Sequence, residues 1–275
     1  MKQLFVAFFC IVALLSAMGG ARAAAFQPGT ITGRFMLTPQ AAMSDGLVYI
    51  YNLANGPAPS RDRYWRVPDH FIKLDKDGRF TVQLLEGTYC IGAIKRNGQP
   101  QIGPPQEGDM FLLSMDNNGQ PRKFIVKSNE SVDMGVTSGA KPFAPSPDTK
   151  GLTAIEGTIL DADGKPEAGV LVFAFPTPTV IGKPLFVSDR SDQNGKFILR
   201  VNEGGTFYLK LRSTFGGGPP QAGAILDGNK EQPLRPVTVK TGETTQGVVL
   251  TGKRFPGRGK DQGMTGSNPP QGGPR

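Results

Sequence analysis

The densest concentration of chemically versatile side chains in the sequence is Arg61-Asp62-Arg63-Tyr64-Trp65-Arg66-Val67-Pro68-Asp69-His70-Phe71. It holds the only tryptophan and the only histidine of the 275-residue chain, beside a tyrosine and three arginines. An aromatic face flanked by hydrogen-bonding side chains suits the C–H face of a sugar ring or a protein partner. Tyr64, Trp65, Arg66 and His70 are therefore the candidate contact residues for a ligand or partner. The competing reading is packing, in which Trp65 and Phe71 cover the edge of a sheet and the arginines are solvated.

Catalytic chemistry finds little support. A nucleophilic triad needs a base paired with an oriented Ser or Cys, and Cys90 lies within a strand pattern instead of on an exposed elbow. One His and two Cys cannot assemble a zinc site or a haem attachment. The acidic turns Asp75-Lys76-Asp77-Gly78, Asp161-Ala162-Asp163-Gly164 and Asp189-Arg190-Ser191-Asp192 lack the closing Glu of an EF-hand. Asp and Asn are ordinary turn residues. Gly216-Gly217-Gly218-Pro219-Pro220 is followed by no helix pattern, so it is no phosphate cradle. The expectation is a protein that is not an enzyme, with no catalytic, cofactor or metal residues.

The elements that position these residues repeat along the chain. Asp77-Gly78-Arg79-Phe80-Thr81-Val82-Gln83-Leu84, followed by Glu86-Gly87-Thr88-Tyr89, returns as Asn194-Gly195-Lys196-Phe197-Ile198-Leu199-Arg200-Val201, followed by Gly204-Gly205-Thr206-Phe207. Asp-Gly and Asn-Gly favour tight turns because Gly tolerates positive φ. Behind each turn Phe80, Val82 and Leu84, or Phe197, Leu199 and Val201, alternate with residues of the opposite face, the period of a half-buried strand. Ile31 to Phe35 corresponds to Ile155 to Ile159, and Leu47 to Tyr51 to Val170 to Phe175. Phe124 to Lys127 with Val132 to Val136 corresponds to Val237 to Lys240 with Val248 to Leu250. Six or seven short strands per copy, with Gly, Pro, Asn and Asp between them, predict an all-β sandwich.

Asp161 to Val170, Asn194-Gly195-Lys196-Phe197 and Gly204 to Tyr208 resemble the carboxypeptidase regulatory-like domain, a transthyretin-like (prealbumin-like) β-sandwich also grouped with starch-binding-like, carbohydrate-binding-like folds. The resemblance covers 152–252 well and 27–139 less closely, where Met36 to Asp45 replaces the D-x-D-G-K-P turn. It implies two tandem prealbumin-like sandwiches. Its motif is structural and implies no chemistry.

The remaining segments set compartment and boundaries. Lys2, the apolar run Leu4 to Met18 and Ala21-Arg22-Ala23 form a signal peptide, residues 1–23, with cleavage after Ala23. Cleavage removes Cys10 and leaves Cys90 alone, so the exported chain has no internal disulfide. Domain 1 is expected over 27–139 and a Pro-rich, semi-rigid spacer over 140–151, which would let the two sandwiches respond separately. Domain 2 follows over 152–252 and a disordered basic tail over 253–275. The formal charge is +8, but residues 253–275 alone carry Lys253, Arg254, Arg258, Lys260 and Arg275 against Asp261. A basic character concentrated in a tail, on an exported chain, argues against nucleic acid. The sequence thus predicts a periplasmic or cell-surface accessory protein that mediates protein interaction in the cell envelope, with no stable membrane span after cleavage. The alternative is a carbohydrate-binding module that takes polysaccharide at Tyr64 and Trp65.

Overall fold

The structure, a computed structural model, describes residues 27–257 except 99–101, 145–148, 180–181, 217–218 and 228–235. The signal peptide, its cleavage point after Ala23 and the tail from 258 onward lie outside the described residues. Among the described residues there is no helix.

The first unit is built from β1 (Gly29–Thr38), β2 (Ala41–Ala42), β3 (Leu47–Asn52), β4 (His70–Lys73), β5 (Arg79–Leu84), β6 (Gly87–Lys95), β7 (Met110–Leu113), β8 (Phe124–Val126), β9 (Ser131–Thr137) and β10 (Lys141–Pro142). The second is built from β11 (Thr153–Leu160), β12 (Leu171–Phe175), β13 (Phe186–Val187), β14 (Lys196–Val201), β15 (Gly205–Arg212), β16 (Ile225–Asp227), β17 (Pro236–Val239) and β18 (Thr244–Arg254). In the first unit β1 lies between antiparallel β5 and parallel β9, with β2 on its C-terminal end. The facing sheet has the order β10-β7-β6-β3-β4, with β8 also on β6. In the second unit β11 lies between antiparallel β14 and parallel β18, β12 pairs β15, and β17 also pairs β15. Here β16 bonds to both β15 and β18 and joins the two layers into one eight-stranded sheet.

The same pairing therefore recurs: β1 with β5 and β9 matches β11 with β14 and β18, and β3 with β4 and β6 matches β12 with β13 and β15. The turn chemistry explains the match. Gly78 and Gly195 sit at φ 74° and 69°, and their N–H groups close turns onto Asp75 and Asp192. In each turn the Asp carboxylate accepts two further backbone N–H groups, Asp75 from Asp77 and Arg79, Asp192 from Asn194 and Lys196. Asp116 and Asp161 do the same in other loops. The acidic turns thus work as side-chain-closed turns.

Each unit encloses its own core. Ile31, Phe35, Phe80, Leu84, Ile91 and Met134 are buried in the first; Ile155, Ile159, Phe197, Leu199, Phe207 and Leu211 in the second. Phe80 and Phe197 are both buried and Thr81 is exposed, which agrees with the parity read from the sequence. A Cβ on Gly157 would run into the Val248 carbonyl and the Phe197 ring, so this strand position is held by the close approach of a neighbour.

Two boundaries differ from the sequence reading. Lys253 and Arg254, expected in the tail, extend β18: they pair with Leu226 and Ile225, and Arg254 forms an ion pair with Glu167 at 2.5 Å. The start of the expected spacer is also structured. Lys141 and Pro142 add a strand to β7, and Ala140 N–H donates to the Leu37 carbonyl. Pairing to an open sheet edge satisfies more backbone groups than an isolated spacer does.

Phe80→Ala or Phe197→Ala should cost roughly 3–5 kcal/mol in denaturant unfolding, whereas Thr81→Ala should stay within about 0.5 kcal/mol. Cys90 is fully buried in β6 and burial pushes its thiol up to about 11. It should resist maleimide in native protein and react once the chain is unfolded.

Candidate functional site

β12 reads Leu-Val-Phe-Ala-Phe, and all five residues are buried. Val172 and Ala174 point into the second core, while Leu171, Phe173 and Phe175 lie on the opposite, outer face. That face would be solvated in an isolated sandwich. It is covered instead by the first unit, and the covering segment is the one singled out from the sequence.

Trp65, Arg66 and Val67 run alongside β13 as an added strand. Val187 N–H donates to the Trp65 carbonyl at 3.1 Å, Val67 N–H donates to the Leu185 carbonyl at 3.0 Å, and Arg66 and Phe186 form an antiparallel bridge. Trp65 is 9% exposed and clusters with Leu171, Phe173, Phe175 and Val187. Its ring meets Phe111 and Phe143 near-perpendicularly, at centroid distances of 5.8 and 5.2 Å. Its indole N–H donates to Asp189 at 3.1 Å, and the other oxygen of that carboxylate accepts from Arg200 at 2.9 Å. Tyr64 packs edge-on against Phe186, and its hydroxyl donates to the Ala58 carbonyl.

Arg66 is more deeply buried, with its side chain 1% exposed. It donates to the carbonyls of Pro57 and Asn52, both at 2.6 Å, and to Asp69 at 2.9 Å. Asp69 also accepts from Asn52 N–H and the Asn55 amide. The arginine Nε has no partner. Desolvation lowers the Arg66 pKa, and Asp69 opposes that shift. A buried ion pair of this kind is strongly destabilised when one member is removed.

His70 does not join this cluster. It is exposed on β4, opposite Ile50, at the edge of the six-stranded sheet. Of the four candidate residues, Tyr64, Trp65 and Arg66 are brought together and His70 is set apart. Residues that the sequence does not assign to this site complete the seam: Phe111, Phe143, Arg200, and Asp189, which it marks only as part of an acidic turn. The continuous apolar run of β12 was their signal, since a strand buried on both faces needs cover on both.

Beside the seam lies a groove of about 870 Å³, lined by Arg61, Asp62, Arg63, Tyr64, Gln120 and Lys141 among others. It presents charged and amide groups next to aromatic rings, while the Trp65 ring packs near-perpendicularly against Phe111 and Phe143. Among the described residues no group of three or more His, Cys, Asp or Glu could hold a metal.

No protein-family model and no curated protein matches the chain. Solved structures with some similarity include a minor pilin of Streptococcus agalactiae, at 14% identity and TM-score 0.25 over 84% of this chain and 98% of that one. A shaft pilin of Lactobacillus rhamnosus GG is 12% identical, with TM-score 0.22 over 84% and 98%. The Bacillus anthracis TIE protein is 11% identical, with TM-score 0.26 over 83% of this chain, which spans 34% of that protein's length.

A second polar knot stiffens the first unit next to the seam. Arg96 and Asp109 pair at 2.6 Å, both almost fully buried, and Arg96 also donates to the carbonyls of Gly103 and Pro104. The Tyr49 hydroxyl donates to the Gly103 carbonyl, and Gly103 lies against Phe215 of the second unit.

The sequence expectation that the two sandwiches respond separately is thereby corrected, because an apolar cluster and added-strand hydrogen bonds join them. Wild-type protein should unfold in one transition. Trp65→Ala should lower stability by roughly 3–5 kcal/mol and split that transition into two, followed by calorimetry. Trp65 emission should be blue-shifted and poorly quenched by iodide.

Asp227 supplies a pH test. Burial pushes its carboxyl up to about 6, although it accepts from Leu211 N–H at 2.7 Å and feels Lys210 and Arg212. The folded state therefore binds the proton more tightly than the unfolded state. This contribution to stability is full below about pH 4 and is lost as pH rises through about 6. Asp227→Asn should remove about 1–2 kcal/mol of that dependence in denaturant titrations at pH 4 to 7.

Proposed function

We propose that the chain is an exported, non-enzymatic accessory protein of the cell envelope, made of two tandem carboxypeptidase regulatory-like sandwiches over 27–139 and 152–252, that presents a fixed two-domain surface to a protein partner. The observation that carries this reading is the use made of Trp65 and Arg66. Trp65 is committed to the seam between the sandwiches, and the buried Arg66–Asp69 pair anchors within the first unit the segment that carries it. A chain that places its most versatile side chains in an internal joint is built to hold shape under an external contact. Relative domain motion is the default where the interface is small and polar; here the interface is aromatic and strand-paired.

The export signal supports an envelope location, periplasmic or at the surface. No helix among the described residues is long and apolar enough to cross a membrane. The second reading, a carbohydrate-binding module, draws on the groove beside Tyr64, whose Arg61, Asp62 and Gln120 could bond sugar hydroxyls.

N-terminal sequencing of exported protein should begin at Ala24. Cross-linking in intact cells should capture an envelope protein, and capture should fall in Trp65→Ala, where the joint is loosened. Retention on cell-wall polysaccharide, abolished by Arg61→Ala and Gln120→Ala with stability unchanged, would carry the carbohydrate reading instead.

A further inference from the structure

The groove beside Tyr64 has an apolar floor and a basic rim. Tyr64, Phe111, Leu113 and Phe143 make the floor. Arg61 and Arg63 reach the rim from the loop before Tyr64, Lys141 reaches it from β10, and all three are exposed. Asp62 is the carboxylate of the lining. Among the described residues no ion pair involves Arg61, Asp62, Arg63 or Lys141. Arg200, the fourth cation of the lining, is committed to Asp189. The carboxylates just outside are engaged or weaker in effect. Asp189 is held by Arg200 and the indole N–H, and Asp116 closes its own turn on Asn118 and Gln120 N–H. Burial raises the Tyr64 pKa; of the charges around its hydroxyl, Arg66 and Arg63 act more strongly than Glu203.

The walls set the ligand class. Pro59, Pro121 and Pro142 line them, and proline has no N–H to offer a main chain. The edge strand there, β10, is two residues long and one of them is Pro142. An extended peptide would find almost no ladder to join. The polar groups on offer are side chains of both kinds. The guanidinium groups and the Lys141 ammonium donate, the Asp62 carboxylate accepts, and the Ser60 hydroxyl and Gln120 amide do both. Ring hydroxyls use donors and acceptors together, whereas an acceptor-only carboxylate has nothing to give a purely anionic ligand. The guanidinium fork matches a carboxylate. At about 870 Å³ the groove lies toward the upper end of the range for small-ligand sites, which suits a short oligomer.

We propose that this groove takes an acidic oligosaccharide, its ring carboxylate among Arg61, Arg63 and Lys141, its hydroxyls on Asp62 and Gln120, and its C–H faces on the aromatic floor. The proposal deepens the carbohydrate reading of the groove and rests on it. A galacturonic acid oligomer, titrated into the exported chain by calorimetry at low salt, should bind saturably at one site. Its methyl ester, with the same rings and no charge, should bind about tenfold more weakly. Added NaCl should weaken the acid form and spare the ester, because exposed charges are screened. Arg61→Gln and Arg63→Gln together should cost the acid form about tenfold and the ester far less. Both side chains are exposed, so the variant keeps its melting temperature. Lys165→Gln, at an exposed cation outside the groove, should change nothing. Equal binding of acid and ester overturns the proposal and leaves the carbohydrate reading standing. Binding of neither form overturns it as well, and retention on cell-wall polysaccharide then decides the broader reading. Equal affinity for polyglutamate, unchanged affinity in the arginine variant, or an equal loss in Lys165→Gln would each overturn the assignment of a sugar acid to this groove.

Discussion

The structure depends on one constraint: β12 is apolar on both faces. A sandwich can bury only the inner face of each sheet in its own core. Leu171, Phe173 and Phe175 therefore need cover from elsewhere, and an uncovered aromatic strip on a protein surface would invite aggregation. The first unit supplies that cover with Trp65, Phe111 and Phe143. Because Trp65 arrives as part of an added strand on β13, the same segment also closes an otherwise open sheet edge.

The polar groups follow from that choice. Bringing residues 65–67 into the seam carries Arg66 inward, and a guanidinium in a dry site must find acceptors. Two backbone carbonyls and Asp69 provide them. The indole N–H needs an acceptor for the same reason, and Asp189 meets it while balancing Arg200. The ion pairs of the seam thus answer the desolvation created by apolar packing. They fix the geometry more than they add to stability, since burying two charges costs nearly as much as their attraction returns.

Holding the sandwiches together also shapes the surface. On one side of the seam lies the groove with Arg61, Arg63 and Lys141; on the other lies the aromatic groove rimmed by Lys183, Lys210 and Arg212. The groove at Phe175 is lined by residues of both units, whereas the groove at Tyr64 is lined by the first unit and residues 141–144, with Arg200 as its one residue from the second. Each groove thus brings together cations that are distant in the sequence, Arg61 with Lys141 in one and Lys183 with Lys210 in the other.

The sequence by itself determined the all-β class and the recurring turn-and-strand pattern of the two units. Positive-φ glycines after Asp or Asn set where each hairpin turns, and period-two alternation set which of Phe80 and Thr81 faces inward. Those signals are local, acting over a few residues, and so they survive without knowledge of the rest of the chain. Short edge strands such as β4 and β10 were not legible, because their pairing is conferred by a neighbour and not by their own pattern. The candidate cluster was legible as a concentration of side chains but not as a joint. Whether Trp65 faces solvent or another sheet depends on which distant segment meets it, and periodicity reports only a residue's relation to its own sheet. Arg200 makes the same point from the other side: its parity marks it as outward, and only the arrival of Trp65 and Asp189 turns outward into buried. Tertiary structure decided the destination of both, because burying the outer face of β12 outweighs the solvation of a single tryptophan and an arginine that can be paired.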